Sequence, residues 1–202
     1  MCRLLREELG ARLVLEPAAT NPFLEHFYKD PVAFRFPVQM FYLHERWKQQ
    51  SGLRQEDLFD QLVVSDYTFE KDRMFAEKTL STDEFELYER FAGALGETAP
   101  KPDALIFLDA PTEVLLKRIS RRCAPGEQKI NAAYIDDLRA RYDALWETWT
   151  ACPIVRLDNT NLNYVDDPSD RAAVVKLVED LLNGGYTPGS DEDREDQQSL
   201  FY

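Results

Sequence analysis

Histidine and cysteine are scarce in this chain of 202 residues. The two histidines, His26 and His44, are isolated from any cluster, and the three cysteines stand at positions 2, 123 and 152. Because the cysteine count is odd and no C-x-x-C spacing occurs, the sequence indicates neither a disulfide framework nor a zinc site. No protein-held metal is expected, and the reducing cytoplasm is the expected compartment.

Long apolar runs and an excess of positive charge are also missing. No apolar run approaches the roughly 20 residues of a membrane span, and the charged N-terminal segment lacks the apolar centre of a signal peptide. The net charge of −13 argues against binding to nucleic acid or to an anionic membrane. A few arginines can still hold a phosphate locally, so a nucleotide substrate is not excluded.

Apolar residues make up 44% of the chain, which is typical of a globular protein. Short apolar runs at 13–15, 62–65, 104–108 and 154–158 alternate with helical patterns, and this alternation predicts an α/β fold with a parallel sheet. The longest helices are predicted at 37–50, 67–79, 82–96, 112–122, 130–145 and 170–183. We expect one domain over 1–183 and a disordered, acidic tail over 184–202.

Three acids, Glu16, Asp66 and Asp109, stand at the ends of predicted strands. Ligands of parallel sheets bind beyond the carboxyl ends of the strands. One such acid could simply start a polar loop, but three of them with a downstream arginine cluster favour a site. The cluster ends the helix at 112–122, where the helix dipole favours arginine in any protein.

Glu16 is the best candidate for a general base, since it follows a strand and Phe23 and Phe27 could partly desolvate it. Gln39 and Arg46 are seven residues apart in a predicted helix, so they share a face about 10 Å apart along its axis. A glutamine amide suits the edge of a base, and an arginine suits a hydroxyl or a phosphate. The alternative is an ordinary amphipathic helix with a solvated polar face.

With these residues assembled, the chain resembles the deoxyribonucleoside kinase family, and in particular its bacterial deoxyadenosine/deoxyguanosine kinases. The resemblance runs from about residue 3 to residue 183. Its most specific stretches are LEP, NPFLEHFYKDPVAFRFPVQMFYLHERWKQ, VVSDYTFEKDRMFAEKTLS, PDALIFLDAPTEVLLKRISRR and IDDLRARYDAL. The resemblance implies phosphoryl transfer to a deoxynucleoside in nucleotide salvage.

The resemblance also implies roles on the substrate side. Glu16 would act as general base toward the 5′-hydroxyl, and Tyr28 would bind the sugar 3′-hydroxyl. Gln39 would read the base, with Arg46 at the far end of the same helix. Phe75 would stack on the base.

Further roles are implied at the second strand and in a lid. Asp66 would be a carboxylate on the substrate side or the magnesium side. Arg118 and Arg122 would contact the phosphates, and Glu127 would lie near the sugar. The lid pattern of the family has an arginine where this chain has Ala124, which places one phosphate contact in doubt.

The largest departure from the family is the lack of a P-loop. The family begins with a strand and a G-x-x-x-x-G-K-S/T loop that holds the donor phosphates, and that motif occurs nowhere in this chain. The expected fold is therefore a three-layer, P-loop-kinase-like parallel sheet flanked by helices, with its first, central strand missing. The donor site for ATP and Mg²⁺ is expected to be incomplete.

Two functional hypotheses follow. In the first, the natural product is longer and is a kinase that moves the γ-phosphoryl group of ATP to a 5′-hydroxyl of a deoxynucleoside, with a purine as the expected base. In the second, the chain is a non-catalytic nucleoside-binding protein or a subunit that works with a partner. The family implies a homodimer, and we expect these 202 residues alone to show little or no activity.

Overall fold

The computed structural model describes residues 1–17, 20–55, 62–96, 100–123, 127 and 130–184. The described chain is rich in helices and contains four strands, so the predicted α/β class is confirmed. In chain order the elements are α1 (Cys2–Leu9), β1 (Arg12–Val14), α2 (Leu24–Lys29), α3 (Pro31–Gln55), β2 (Val63–Ser65), α4 (Phe69–Thr79), α5 (Thr82–Gly96), β3 (Leu105–Asp109), α6 (Thr112–Arg122), α7 (Ala132–Glu147), β4 (Ile154–Asp158) and α8 (Pro168–Leu182).

The chain divides into two compact units. The first comprises Met1–Pro100 and Ile119–Ile130, and the second comprises Lys101–Arg118 and Asn131–Tyr202. Each unit contains one parallel pair of strands, β1 with β2 in the first and β3 with β4 in the second. The predicted parallel strands are thus present among the described residues, while the missing central strand stays a prediction.

The core of the first unit is made by three helices. Leu43 of α3, Ala76 of α4 and Tyr88 of α5 are completely buried. The side chains packed around them are largely aromatic or aliphatic, and they include Phe36, Met40, Phe69, Leu80, Phe85 and Leu95. Helix α5 begins at a capping box, in which the Glu84 carboxylate accepts hydrogen bonds from the backbone N–H and the hydroxyl of Ser81.

Helix α3 is longer than predicted, since it begins at Pro31 and ends at Gln55 instead of covering 37–50. The aromatics mixed with Pro22 and Pro31 over 21–36 predict a broken helix and turn there. This is wrong from Pro31 onward, because Pro31 occupies the first turn of α3, where a missing N–H costs nothing. Asp30 Oδ1 accepts the N–H of Ala33 at 3.2 Å and caps this new start. Pro37 then lies inside the helix, which loses one hydrogen bond there.

The apolar sequence of β2 predicts a strand that is buried on both faces, and this prediction is wrong. Val63 is 40% exposed, and Ser65 is exposed as well. Within the described residues β2 pairs only with β1, over the three pairs Arg12↔Val63, Leu13↔Val64 and Val14↔Ser65. A strand with one neighbour and three residues has little surface to bury, so its apolar sequence did not decide its exposure.

The second unit pairs β3 and β4 over five residues, from Leu105↔Ile154 to Asp109↔Asp158. An aromatic cluster covers β3, with the Phe107 ring 5.4 Å from Tyr142 and 5.6 Å from Trp146, centroid to centroid. Asn131 caps α7. Of the predicted acidic tail only Gly184 is described, and the rest lies outside the described residues. No helix in the described part of the chain is long and apolar enough to cross a membrane.

Candidate active site

The backbone around Glu16 is held from two sides. The Glu16 N–H donates to Asp66 Oδ1 at 2.7 Å, which ties the chain after β1 to the end of β2. The Leu15 carbonyl accepts from Gln49 Nε2 of α3 at 3.1 Å, and the amide oxygen of Gln49 accepts the Tyr67 hydroxyl at 2.6 Å. The position of Glu16 is therefore determined by residues of β2, α3 and the segment that leads into α4.

Two cations hold the Glu16 carboxylate. Arg46 donates from Nε to Oε1 at 2.9 Å and from Nη2 to Oε2 at 2.8 Å, which makes a two-pronged contact. Lys71 Nζ donates to Oε2 at 3.2 Å. The Glu16 side chain is 18% exposed, so it remains accessible from one direction.

The environment lowers the pKa of Glu16 below its usual 4.5. Burial raises the pKa, but the hydrogen bond from Arg46 and the charges of Arg46 and Lys71 outweigh that effect. The carboxylate is consequently ionised at neutral pH and can accept a hydrogen bond from a hydroxyl group.

This pKa predicts how stability depends on pH. Because the pKa of Glu16 is lower in the folded chain than in the unfolded one, its contribution to stability is present above about pH 4.5 and is lost as the pH falls through the folded pKa. Wild-type protein should therefore lose more unfolding free energy between pH 5 and pH 3 than Glu16→Gln does. Urea unfolding of both proteins at each pH measures this; parallel curves would contradict it.

Arg46 also binds a second carboxylate. Its Nη1 donates to Asp72 of α4, and Asp72 Oδ2 accepts the Tyr88 hydroxyl at 2.7 Å. The guanidinium carbon lies 5.4 Å from the Tyr42 ring centroid and 5.3 Å from that of Tyr67, within cation–π range. Burial raises the pKa of Tyr67 to about 12, against the opposing charge of Arg46.

Gln39 lies on the same side of α3 as Arg46, two turns earlier. This side of α3 and the side of α4 that it contacts are called the wall of the site. Gln39 Nε2 donates to Thr79 Oγ1 at 3.0 Å, and the Thr79 hydroxyl donates to the Phe75 carbonyl at 2.8 Å. Gln39 is 7% exposed and Arg46 is 4% exposed. Gln39 and Arg46 therefore do not belong to a solvated polar face, and that alternative is wrong for these two residues.

Helices α3 and α4 run antiparallel along the wall, because Arg46 contacts Asp72 near the start of α4 while Gln39 contacts Thr79 at its end. Lys71, Phe75 and Thr79 are spaced by four and so share a face of α4. Lys71 Nζ lies 5.8 Å from the centroid of the Phe75 ring. The candidate site is thus about 10 Å long, with charge at one end and an amide at the other.

A cavity of about 210 Å³ adjoins the amide end. Its lining residues lie on α2, α3 and α4, and they are Phe27, Pro31, Val32, Arg35 and Thr79. Thr79 is therefore shared between this cavity and the hydrogen bond to Gln39. Glu16 does not line the cavity, so the candidate site extends beyond the cavity along α3 and α4.

The structure also brings Tyr28 and Glu127, both expected near the sugar, together with Arg122, which was expected at the phosphates. Arg122 Nη2 donates to Glu127 Oε1 at 2.5 Å, and Arg122 Nε donates to Oε2 at 3.2 Å. The pKa of Tyr28 is raised, first by burial and then by the charge of Glu127, while Arg122 opposes. Tyr42 lies close enough to both Glu16 and Tyr28 for each to raise its pKa, although burial has the larger effect.

Arg118, the other predicted phosphate ligand, belongs to the second unit. Its Nη2 donates to the backbone carbonyls of Asn159 at 2.5 Å and Thr160 at 3.3 Å. In that unit Asp109, the third strand-end acid, pairs with Arg139 at 3.2 Å. Ala124, where the family pattern has an arginine, lies outside the described residues. The phosphate-binding role of Arg118 stays a prediction.

No group of three histidine, cysteine, aspartate or glutamate side chains that could hold a metal ion is found in the described ranges. Mg²⁺ commonly keeps several waters and binds through one or two carboxylates together with substrate phosphates. Both oxygens of Glu16 already accept hydrogen bonds from cations. A magnesium ion at this site stays a prediction.

Sequence reasoning missed four members of this arrangement: Lys71, Asp72, Thr79 and Tyr88. The spacing of four from Lys71 through Phe75 to Thr79 is a usable signal for a shared face. Asp72 stands in the charged run Glu70-Lys71-Asp72-Arg73, which gives no sign that one member is completely buried.

Nearly the whole chain is similar to known proteins. Residues 1–183 match the family described as deoxynucleoside kinase. The chain is 29% identical over 187 residues to a deoxyguanosine kinase of Bacillus subtilis, covering 90% of each protein. It is 27% identical to the deoxyadenosine/deoxycytidine kinase of the same organism, covering 91% of this chain and 87% of that protein.

A solved structure supports the fold independently. The structure of deoxyadenosine kinase from M. mycoides with bound dCTP superposes with a TM-score of 0.71 at 22% identity and covers 90% of both chains. That identity supports the architecture alone, whereas the family match covers nearly all of the described residues. The chain therefore belongs to the deoxynucleoside kinase family of phosphotransferases.

Proposed function

We propose that the protein transfers the γ-phosphoryl group of ATP to the 5′-hydroxyl of a purine deoxynucleoside. The proposal rests on two groups at opposite ends of the wall. One is the ionised carboxylate of Glu16, which Arg46 binds, and the other is the buried amide of Gln39, which Thr79 binds. The interval of about 10 Å along α3 suits a molecule with a hydroxyl at one end and a base at the other.

Different residues of the site bind different parts of the deoxynucleoside. Glu16 accepts a hydrogen bond from the 5′-hydroxyl and directs its oxygen toward the phosphoryl group, since phosphoryl transfer depends more on positioning than on proton removal. Tyr28 binds the sugar. Gln39 uses one of its two N–H groups on Thr79, so the rest of its amide can serve a base edge. The Phe75 ring stacks on the base.

Purine preference is supported by the names of the relatives. Curated kinases for deoxyguanosine and for deoxyadenosine match this chain at 29% and 28% identity. A deoxyadenosine/deoxycytidine kinase also matches, at 27%. We therefore propose purine deoxynucleosides as the main acceptors, used in nucleotide salvage by a cytoplasmic homodimer.

The donor side is proposed to use Arg118 and Arg122. ATP with Mg²⁺ would supply the transferable phosphoryl group and neutralise its charge. The Arg122 side chain is 63% exposed, while its partner Glu127 is 19% exposed, so solvent and a phosphate can reach the guanidinium of this ion pair. The 202 residues contain no G-x-x-x-x-G-K-S/T motif, so we expect purine deoxynucleoside binding with little or no turnover from these residues alone.

The proposal is tested by two measurements on the same protein. Calorimetry should show binding of deoxyadenosine or deoxyguanosine, and chromatography should detect any monophosphate formed with MgATP. Absence of binding for every deoxynucleoside would overturn the proposed acceptor site. Rapid monophosphate formation would support the kinase function and contradict the expected inactivity of the 202 residues.

Gln39→Ala is expected to weaken deoxynucleoside binding by about tenfold, because a buried hydrogen-bonding amide would be lost from the base end. Thr79→Val is the matched control, since it removes the partner of Gln39 and keeps the side-chain shape. We expect its effect to be about threefold or less. Calorimetry of both variants decides the matter, and wild-type affinity in Gln39→Ala would remove Gln39 as the base-reading residue.

A further inference from the structure

A chain of buried contacts leads from Glu16 into the core of the first unit. Arg46 binds Glu16 through Nε and Nη2 and binds Asp72 through Nη1. The second oxygen of Asp72 accepts the Tyr88 hydroxyl. Asp72 and Tyr88 are both 0% exposed, so neither can reach a ligand in this arrangement. We propose that Asp72 and Tyr88 are positioning residues that act through Arg46 on the Glu16 carboxylate.

Stability does not explain why a carboxylate lies at this place. A buried ion pair can often be replaced by apolar residues of similar volume with no loss of stability, because both charges must be removed from water. Asp72 instead fixes the orientation of the Arg46 guanidinium group. By taking the Nη1 corner of the guanidinium, it leaves the Nε and Nη2 edge for Glu16.

The guanidinium is restricted further by Tyr42 and Tyr67, whose rings lie against it. With its N–H groups on two carboxylates and its π system beside two rings, Arg46 has one orientation available. A carboxylate has about four acceptor positions, and three donated bonds to Glu16 are present, two from Arg46 and one from Lys71. The orientation of Arg46 thereby sets where Glu16 can accept a further hydrogen bond.

This inference rests on the proposed function, in which that further bond comes from a 5′-hydroxyl. The test compares calorimetric affinities for 2′-deoxyadenosine and 2′,5′-dideoxyadenosine, which lacks the 5′-hydroxyl. Wild-type protein should prefer the hydroxylated ligand by about tenfold or more, as expected for a hydrogen bond to a charged group. In Asp72→Asn and Tyr88→Phe this ratio should fall at least threefold, while affinity for the 5′-deoxy ligand stays within twofold.

General damage to the fold would lower both affinities together and leave their ratio unchanged, so the ratio isolates positioning. Tyr88→Phe removes a single hydroxyl and keeps the ring in the core, which protects the test if Asp72→Asn fails to fold. Glu89→Gln is the matched control, because Glu89 follows Tyr88 but pairs with Arg73 at the surface. It should keep the wild-type ratio.

A second measurement needs no ligand. Solvent exchange of the Arg46 guanidinium N–H groups can be followed by NMR on ¹⁵N-arginine protein, with the Arg46 signals identified by their loss in Arg46→Lys. Exchange should be at least tenfold faster in Asp72→Asn, faster by a smaller factor in Tyr88→Phe, and unchanged in Glu89→Gln. This result does not depend on whether any nucleoside binds.

The two measurements separate the possible failures. If wild-type protein binds no deoxynucleoside, the proposed function fails, and the exchange rates alone decide whether Asp72 and Tyr88 hold Arg46. Unchanged exchange in both variants would overturn the inference. Faster exchange with an unchanged affinity ratio would overturn it as well, because Arg46 would then be held without any effect on Glu16.

Discussion

Replacing Glu16 by glutamine is expected to lower kcat for phosphoryl transfer by about 100-fold or more, with little change in KM for the deoxynucleoside. Glutamine keeps the size of the side chain but cannot take a proton. Its NH₂ group would also face donors, since Arg46 and Lys71 donate to both oxygens of the carboxylate. The loss therefore combines a missing acceptor charge with a disturbed orientation of the 5′-hydroxyl.

Because little or no turnover is expected from the 202 residues alone, the measurement is steady-state kinetics in the longer kinase of the first functional hypothesis, with Glu25→Gln as the control. Glu25 is an exposed residue of α2 that pairs with Lys29 one turn away, so the same chemical change there should leave kcat unaltered. A kcat near the wild-type value in Glu16→Gln would remove Glu16 as the base. A large rise in KM with unchanged kcat would assign Glu16 to binding alone.

Helical periodicity was sufficient to place Gln39 and Arg46 on one face of α3, because residues seven apart repeat every two turns. It could not show that the face is buried. A charged residue on an amphipathic helix is usually solvated. Arg46 departs from this because Glu16 and Asp72, which are 30 and 26 residues away in the chain, both pair with it. Such a pairing depends on tertiary packing, which no local pattern contains.

The strands show the same division between local and tertiary information. Their apolar runs predicted all four to within about one residue, since short β-rich runs between helical patterns are a strong signal. The exposure of Val63 was mispredicted because it depends on which neighbours β2 has. Pro31 was taken as a helix breaker, yet the same residue begins α3 once Asp30 caps it.

Arg46→Met is expected to destabilise the first unit by about 3–5 kcal/mol, because it leaves Asp72 buried without its counter-charge. Glu16 would keep only Lys71, and the contacts of the guanidinium with Tyr42 and Tyr67 would also be lost. Urea unfolding measures the loss. Arg73→Met on the same helix α4 is the control, since its ion pair with Glu89 is exposed and its removal should change stability by about 0.5 kcal/mol or less.

The double variant Arg46→Met with Asp72→Leu separates stability from positioning. It removes both buried charges, so most of the lost stability should return even though neither native partner is present. Its Glu16 carboxylate would still lack the two-pronged contact, and preference for a ligand with a 5′-hydroxyl should remain lost. If the double variant is no more stable than Arg46→Met alone, the destabilisation arises from the loss of Arg46 packing against the tyrosines and not from the unpaired charge of Asp72.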